Sequence, residues 1–471
     1  MLPPTAEPLR ALEAMLTADA WMVGGTVRDE LLGRPFSDVD VVVDEPPERL
    51  ARGLAANFRA FAFELSEGFG GWRVVDRQRI WQVDLVPLAG GSLATDLAAR
   101  DLTINAMARP VGSAEIVDPH GGREDLGREI LRVVSPEAFT ADPLRVMRVA
   151  RLHSELGFRV EPATAARAVA VAPGMAEVAP ERVLSELLRL LRQPSAVAGL
   201  EAMDALGATA AVLPELAALD GVEQSPYHHL DVGRHTRAVL AETVALTADP
   251  GARFGAPGPE LEALLAEPLA NELTRGEGLR LGALLHDSAK PQTRAVTDTG
   301  RITFLDHDRQ GAALVETILR RLRASERLVG FVSALVRHHL RAGFLVHEMP
   351  LDRRAIYRYL RSTEPVEVEV TLLSVADRLA THGRGAEAAI RRHLEVADLL
   401  LAEGLRWRAA HPRSPVRGDD LARALGIRPG PKLGRLLAEL EQAAFAGELA
   451  DREAALALAR TLLERSAGTE R

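Results

Sequence analysis

Ala20-Trp21-Met22-Val23-Gly24-Gly25-Thr26-Val27-Arg28-Asp29, followed by Asp38-Val39-Asp40-Val41-Val42-Val43, decides how the first part of the chain is read. Trp21 to Val23 has strand character, Gly24-Gly25 is a turn, Val27 to Leu32 can wind once or twice, and Val39 to Val43 is β-branched around one acid. Farther on, Gly71 to Asp84 reads as two strands joined by a polar turn near Asp76 to Arg79. Together they predict a small mixed sheet with a helix.

Two glycines ahead of a helix let backbone N–H groups approach phosphate oxygens, and Arg28 can add a mobile positive donor. A glycine pair alone is more often an ordinary turn. Asp38 and Asp40 are two apart on a strand, so their carboxylates share a face. Like charges held that close need a counter-ion, and phosphate-bound Mg2+ takes such oxygen ligands. Asp84 can bring a third carboxylate from a neighbouring strand, giving Asp38, Asp40 and Asp84 as the catalytic candidates for in-line phosphoryl transfer. The competing reading leaves Asp38 and Asp40 solvating a strand edge while Asp84 caps a turn.

The remainder is bounded by composition. With 471 residues, 47% hydrophobic and 26% charged, the chain can fill about three domains. The absence of cysteine excludes disulfides, thiolate ligands and a cysteine nucleophile, leaving carboxylates and histidines for metals. The net charge of −9 disfavours a surface adapted to nucleic acid throughout but permits a local basic groove. Glu7, Asp19 and Asp29 interrupt the early apolar runs, and no 18-residue uncharged apolar segment follows, so neither a secretory signal nor a membrane span is expected; the expected location is cytoplasmic.

From Pro136 the pattern turns to alanine, leucine and arginine at helical spacing. Asp249-Pro250-Gly251 and Pro257-Gly258-Pro259 read as a long break, and His411 to Pro415 as a linker before three final helices. Asp142, Arg145 and Arg148 are spaced by three, so a helix starting near Pro143 sets them along one side. A carboxylate accepts from a base amino group and an arginine donates to ring nitrogens or carbonyls, although a helix-start ion pair is the commoner use of Asp142 and Arg145. His235, His286-Asp287 and Asp377 have metal-ligand residue types on separate segments. For His307 and for His338 or His339, helix termini or RNA contacts weigh equally with metal ligation, and adjacent helix residues point about 100° apart, so His338 and His339 are not both assigned to one metal.

These motifs in order resemble the bacterial class II tRNA nucleotidyltransferase and poly(A) polymerase family, a branch of the polymerase-beta-like nucleotidyltransferases. The resemblance rests on Gly24 to Asp29, Leu31-Leu32-Gly33-Arg34, Asp38-Val39-Asp40, Arg100-Asp101-Leu102-Thr103-Ile104-Asn105, Asp118-Pro119 with Gly121-Gly122, Asp142-Pro143-Leu144-Arg145 with Arg148 and Arg151, and Glu181-Arg182 with Glu186. It extends to an HD domain through His228-His229, His235 and His286-Asp287-Ser288-Ala289-Lys290, and to a carboxy-terminal helical module through Gly418-Asp419-Asp420 and Gly430-Pro431-Lys432.

The resemblance implies an α+β protein: a nucleotidyltransferase head over 1–130, a helical neck binding the nucleotide base and RNA over 131–215, an HD metal-binding domain over 216–405 and an RNA-binding tail over 406–471. It implies that Gly24, Gly25, Arg28, Arg100, Asp101, Asn105, Asp142, Arg145, Arg148 and Arg151 bind the nucleotide, with Asp142 and Arg145 reading CTP or ATP. Asp38 and Asp40 hold Mg2+, and His235, His286, Asp287 and Asp377 hold Mg2+ or a divalent transition metal. The implied partner is tRNA at its 3′ acceptor end, with CTP as donor and ATP as a second candidate. Ala141 and Ala99 replace charged residues common in relatives. Only the 11 residues Leu85 to Thr95 separate Asp84 from Asp96, where CCA-adding relatives carry a longer segment that helps switch from CTP to ATP; the short form suits CC-only addition.

Poly(A) synthesis, HD phosphohydrolysis with an RNA-binding head, and non-catalytic RNA binding are the alternatives. RNA phosphates can follow arginine faces at Arg320, Arg321, Arg323, Arg327, Arg337 and Arg341, and at Arg384, Arg391 and Arg392, although such runs are more often solvated helix surface.

Overall fold

A computed structural model describes residues 4–65, 70–225, 228–382 and 385–469. The chain divides into two compact units, Met1–Val212 and Leu213–Arg471. The first unit opens with α1 (Ala6–Met15), β1 (Ala20–Val23), α2 (Gly25–Leu31), β2 (Asp38–Val43), α3 (Pro47–Phe58), β3 (Phe61–Glu64), β4 (Trp72–Val75), β5 (Gln82–Pro87), α4 (Leu93–Ala98) and β6 (Ala108–Pro110). The six strands form one sheet in the order β3-β4-β5-β2-β1-β6, mixed because β2 and β5 run parallel while their other neighbours pair antiparallel.

Alternation along the strands sorts the two faces. Val39, Val41, Val74, Val83 and Leu85 are fully or almost fully buried, and α3, which packs against β3, β4 and β5, buries Leu50 and Leu54. Asp38, Asp40, Arg73 and Asp84 occupy the alternate positions on the open face. The mixed sheet expected from Ala20 to Asp84 is therefore present.

Past the sheet the first unit is mainly helical, with Arg145–Leu156 and Pro180–Arg192 as its longest amphipathic helices. Pro180 stands in the first turn, where its missing N–H costs nothing, and Gly157 ends the earlier helix in a left-handed conformation.

In the second unit, helices Val232–Ala248, Arg275–Leu285, His307–Arg321, Glu326–His338 and Glu367–Leu379 pack together. Asp231 caps the first through Arg234 N–H at 2.7 Å, and Thr274 with Glu277 forms a capping box on the second. These caps fix where His235 and His286 emerge. The region read as a break contains helices Pro250–Phe254 and Gly258–Leu265, because Asp249 accepts from Ala252 N–H at 2.9 Å and Pro250 sits where helices tolerate proline. The last three helices share a core of Leu421, Leu433, Leu436, Leu440, Ala455 and Ala459. Among the described residues no helix is long and apolar enough to cross a membrane.

Glu367 in this unit is 1% exposed and its Oε2 has no hydrogen-bond partner. Burial, reinforced by Glu369, pushes its carboxyl up to about 7 from 4.5. A carboxyl that holds its proton more tightly when folded makes the fold less stable as pH rises through that interval, by at most about 3.5 kcal/mol at about 1.4 kcal/mol per unit. Glu367→Gln is expected to stabilise the fold at pH 8 by about 1–3 kcal/mol and to change little at pH 5, as read from urea unfolding at both pH values.

Candidate active site and metal centre

Gly24 joins β1 to α2 with φ +68°, a conformation glycine adopts without strain. A Cβ there would lie 2.9 Å from Arg100 Nη1 and 3.5 Å from Asp40 Oδ2. Thr26 Oγ1 accepts from the Asp40 N–H at 3.0 Å, tying the glycine turn to β2. Gly24, Gly25, Asp40, Arg100, Asp101, Asn105, Asp142, Arg145 and Arg148 thus line a cavity of about 620 Å³, joined by Arg182, Glu186 and Arg189. This size suits a nucleotide.

Asp40 is open to the cavity, yet surrounding protein atoms strip enough water from it to raise its proton affinity. Asp84 and Asp38 add to that rise while Arg100 and Arg148 oppose it. Arg100 donates to Asp96 at 2.7 Å. Asp101 is buried and accepts from Arg148 at 2.8 Å and Asn105 at 3.0 Å, and these contacts hold its carboxyl well below the usual range against the effect of burial.

Several expectations change at side-chain level. Arg28 is not a mobile donor: it is 6% exposed and bound to Asp29 at 2.9 Å and to Asn105 at 2.8 Å, which makes it part of the wall behind the turn. Asp84 stands opposite Asp40 in the β2–β5 register, but both its oxygens accept from Arg73, at 2.8 and 2.7 Å. Asp38, Asp40 and Asp84 accordingly do not gather into one three-donor group. Asp142 does not pair with Arg145. Its Oδ2 accepts from Arg182 at 2.7 Å, while Arg145 donates to the carbonyls of Ala99 at 2.7 Å and Arg100 at 2.9 Å. Arg151 lies outside the cavity lining, held by Glu186 at 2.8 Å and Glu155 at 2.7 Å.

The histidine and aspartate residues come together in the second unit. His235 Nε2 lies 3.0 Å from Asp377 Oδ1, and His286 Nε2 lies 3.1 Å from Asp287 Oδ2. Among the described residues two groups can each direct three donor atoms at a cation: His235, His286 and Asp287, and Asp287, His307 and His339. Asp287 belongs to both. His339 is selected over His338, and its buried imidazole is lowered to about 4 by burial, then by His307 and His286. Burial opposes charge on His286, but Asp287 and Asp377 together outweigh it and raise the proton affinity. His286 Nε2 is buried without a hydrogen-bond partner, a donor atom of the kind a metal takes. The imidazole-rich set fits a divalent transition metal better than Mg2+.

Of the expected arginine faces, Arg320 is paired with Glu316 at 3.0 Å and Glu326 at 3.1 Å, and Arg321 with Glu215 at 2.7 Å. These two are not bare cations. Arg384 lies outside the described residues.

The Poly A polymerase head domain family matches residues 20–86 and 74–132, the probable RNA and SrmB-binding site of polymerase A matches 157–219, and the HD domain matches 263–382. The chain is 36% identical to the A-adding tRNA nucleotidyltransferase of Deinococcus radiodurans across 96% of this chain and 97% of that protein. It belongs to the bacterial tRNA nucleotidyltransferase and poly(A) polymerase family. Members of this family are metal-dependent enzymes of the polymerase-beta-like type. The CC-adding tRNA nucleotidyltransferase of Thermus thermophilus is 33% identical over 93% of this chain and 92% of its own length. The Bacillus stearothermophilus CCA-adding enzyme solved with CTP shares the fold at TM-score 0.62 and 24% identity, covering 100% of this chain and 99% of that one.

Within this nucleotidyltransferase family site, Thr26, Arg73 and Arg189 were not legible as site residues. Arg73 carries a usable signal only once the β4–β5 register puts it opposite Asp84.

Proposed function

We propose that the protein adds nucleotides of one kind to the 3′ end of tRNA, CMP from CTP, and so builds the CC part of the CCA end. The observation that carries this reading is Asp40 facing the cavity that also holds the Gly24-Gly25 turn, Arg100 and Asp142. The backbone of Gly24 and Gly25 and the Arg100 guanidinium receive the triphosphate, and Asp142 with Arg182 meets the base edge. Arg145, committed to the Ala99 and Arg100 carbonyls, supports that edge from behind.

Asp38 and Asp40 supply only oxygen donors, which fits Mg2+, and a bound metal would lower the pKa of the attacking 3′ hydroxyl and offset charge on the departing pyrophosphate. Arg73 keeps Asp84 neutralised beside them. Residues 1–130 serve as head, 131–215 as neck, 216–405 as HD domain and 406–471 as tail, and a tRNA substrate implies a cytoplasmic protein.

Restriction to one nucleotide follows from the β5–α4 connection, which spans only Leu88 to Ser92 and leaves little chain to reorganise between CTP and ATP. The full-length relatives in Deinococcus and Thermus are likewise named for partial addition. AMP addition is the second reading, favoured by the 36% identity to the A-adding relative. The test is incorporation of CTP and ATP into tRNAs ending before the first C, after one C and after both. Two CMP additions that then stop support the proposal; AMP onto the CC-ended tRNA alone selects the second reading; untemplated A runs on several RNAs point to poly(A) synthesis.

Gly24→Ala forces a left-handed alanine and pushes a methyl group at Arg100. Backbone strain of about 1–3 kcal/mol predicts a loss of about tenfold to a hundredfold in kcat/KM for the nucleotide, measured by steady-state incorporation.

A further inference from the structure

The open face of the head sheet continues well past the catalytic carboxylates. Strand register sets Phe63 opposite Arg73, Arg73 opposite Asp84 and Asp84 opposite Asp40; a second row runs Phe61, Val75, Gln82, Asp38. Directly opposed residues share a face, so both phenylalanines point to the side that carries Asp38 and Asp40. Phe61 is 56% exposed and Phe63 48%, although they belong to the residue class that most favours burial. Arg77 lies 5.4 Å from the Phe61 ring centroid, and Arg73 stands opposite Phe63 in the β3–β4 register.

The nucleotide cavity lies on one side of Asp40 and includes no residue of β3, β4 or β5. In-line displacement requires the attacking hydroxyl on the side away from the departing pyrophosphate. An acceptor strand entering on the side of Asp40 away from that cavity would lie over β5, β4 and β3. Three inter-strand spacings of about 4.8 Å separate Asp40 from Phe63, about 14 Å in all. At about 3.4 Å per stacked nucleotide, that reach covers about the last four nucleotides of the acceptor.

We propose that Phe61 and Phe63, flanked by Arg77, form a stacking platform for the unpaired 3′-terminal bases of the RNA acceptor. Aromatic rings accept any base face, and the Arg77 guanidinium supplies a positive charge for a neighbouring phosphate. This rests on the nucleotidyltransferase reading above and adds to it a surface for the acceptor strand.

The test replaces a base near the 3′ end of a tRNA acceptor minihelix with 2-aminopurine and follows its fluorescence on binding the full-length protein, alongside nucleotide incorporation. Wild type is expected to quench the probe. Phe61→Ala/Phe63→Ala is expected to restore the fluorescence and raise the KM for RNA at least about tenfold while the KM for CTP moves less than twofold, and Phe63→Trp to retain quenching. Incorporation by wild type with equal RNA KM and equal probe signal in the double variant overturns the platform and leaves the transferase reading intact. Quenching that depends on Phe61 and Phe63 in a protein that incorporates no nucleotide has the opposite meaning. A double variant that loses only self-association, seen by sedimentation, assigns the patch to a second copy and also overturns the proposal.

Discussion

Asp40→Asn should reduce nucleotide incorporation by about a thousandfold or more, because metal stabilisation of transferring phosphoryl groups is worth several kcal/mol and about 4 kcal/mol corresponds to that factor. The change keeps the shape of the side chain while removing its charge and turning one metal-binding oxygen into an NH2 donor. Nucleotide binding measured without turnover should weaken far less, since Gly24, Gly25 and Arg100 remain. The same substitution should leave the melting temperature at pH 7 no lower than wild type. Asp40 holds its proton more tightly in the folded protein, so its ionised form works against stability above its ordinary range, and asparagine removes that opposition. Incorporation within tenfold of wild type would reject Asp40 as a ligand of the reacting metal.

Asp287→Asn should remove divalent-metal binding from the second unit. One substitution strikes both candidate donor groups, because Asp287 is the residue they share. Isothermal titration with Mn2+ or Ni2+ should give at least about a hundredfold weaker affinity, with loss of the thermal stabilisation that metal gives wild type. A destabilising contribution is also expected, since Lys290 Nζ sits 2.7 Å from Asp287 Oδ2 and both residues are buried. Breaking a buried pair costs about 3–5 kcal/mol, and the amide should retain part of that contact. Nucleotide incorporation should persist, because the residues of the nucleotide cavity all fall within 1–212. Unchanged metal affinity in the variant would dismiss the cluster as a ligand set.

What the sequence made legible follows from what is local in it. The glycine turn and the Asp38-Val39-Asp40 strand are set by spacing within 20 residues, and the structure brings Gly24 and Asp40 to one cavity as the pattern implied. Asp287 and its histidines were recognisable by type and order. The choice of His339 over His338 was not, because it depends on how Glu326–His338 is rotated against its neighbours.

Partners fixed by long-range pairing stayed hidden for the same reason. Arg182 reaches Asp142 across 40 residues, and Arg73 reaches Asp84 only through the antiparallel register of β4 with β5. The commitment of Arg145 to backbone carbonyls requires the Ala99–Arg100 turn to stand beside its helix. The prolines at 250 and 259 stand in first turns of helices where the sequence suggests a break, since proline opens a helix as readily as it ends one.

Glu155 draws together Arg28 at 3.8 Å, Arg34 at 3.4 Å and Arg151 at 2.7 Å. The first two belong to the segment after the glycine turn, and the third sits on the helix that also carries Arg145 and Arg148. On the reading proposed above, the end that would receive phosphate and the helix that backs the base edge are thereby pinned to a single rod. On that reading the slot would act as a gauge of constant span, admitting or refusing a nucleotide by its length from phosphate to ring edge.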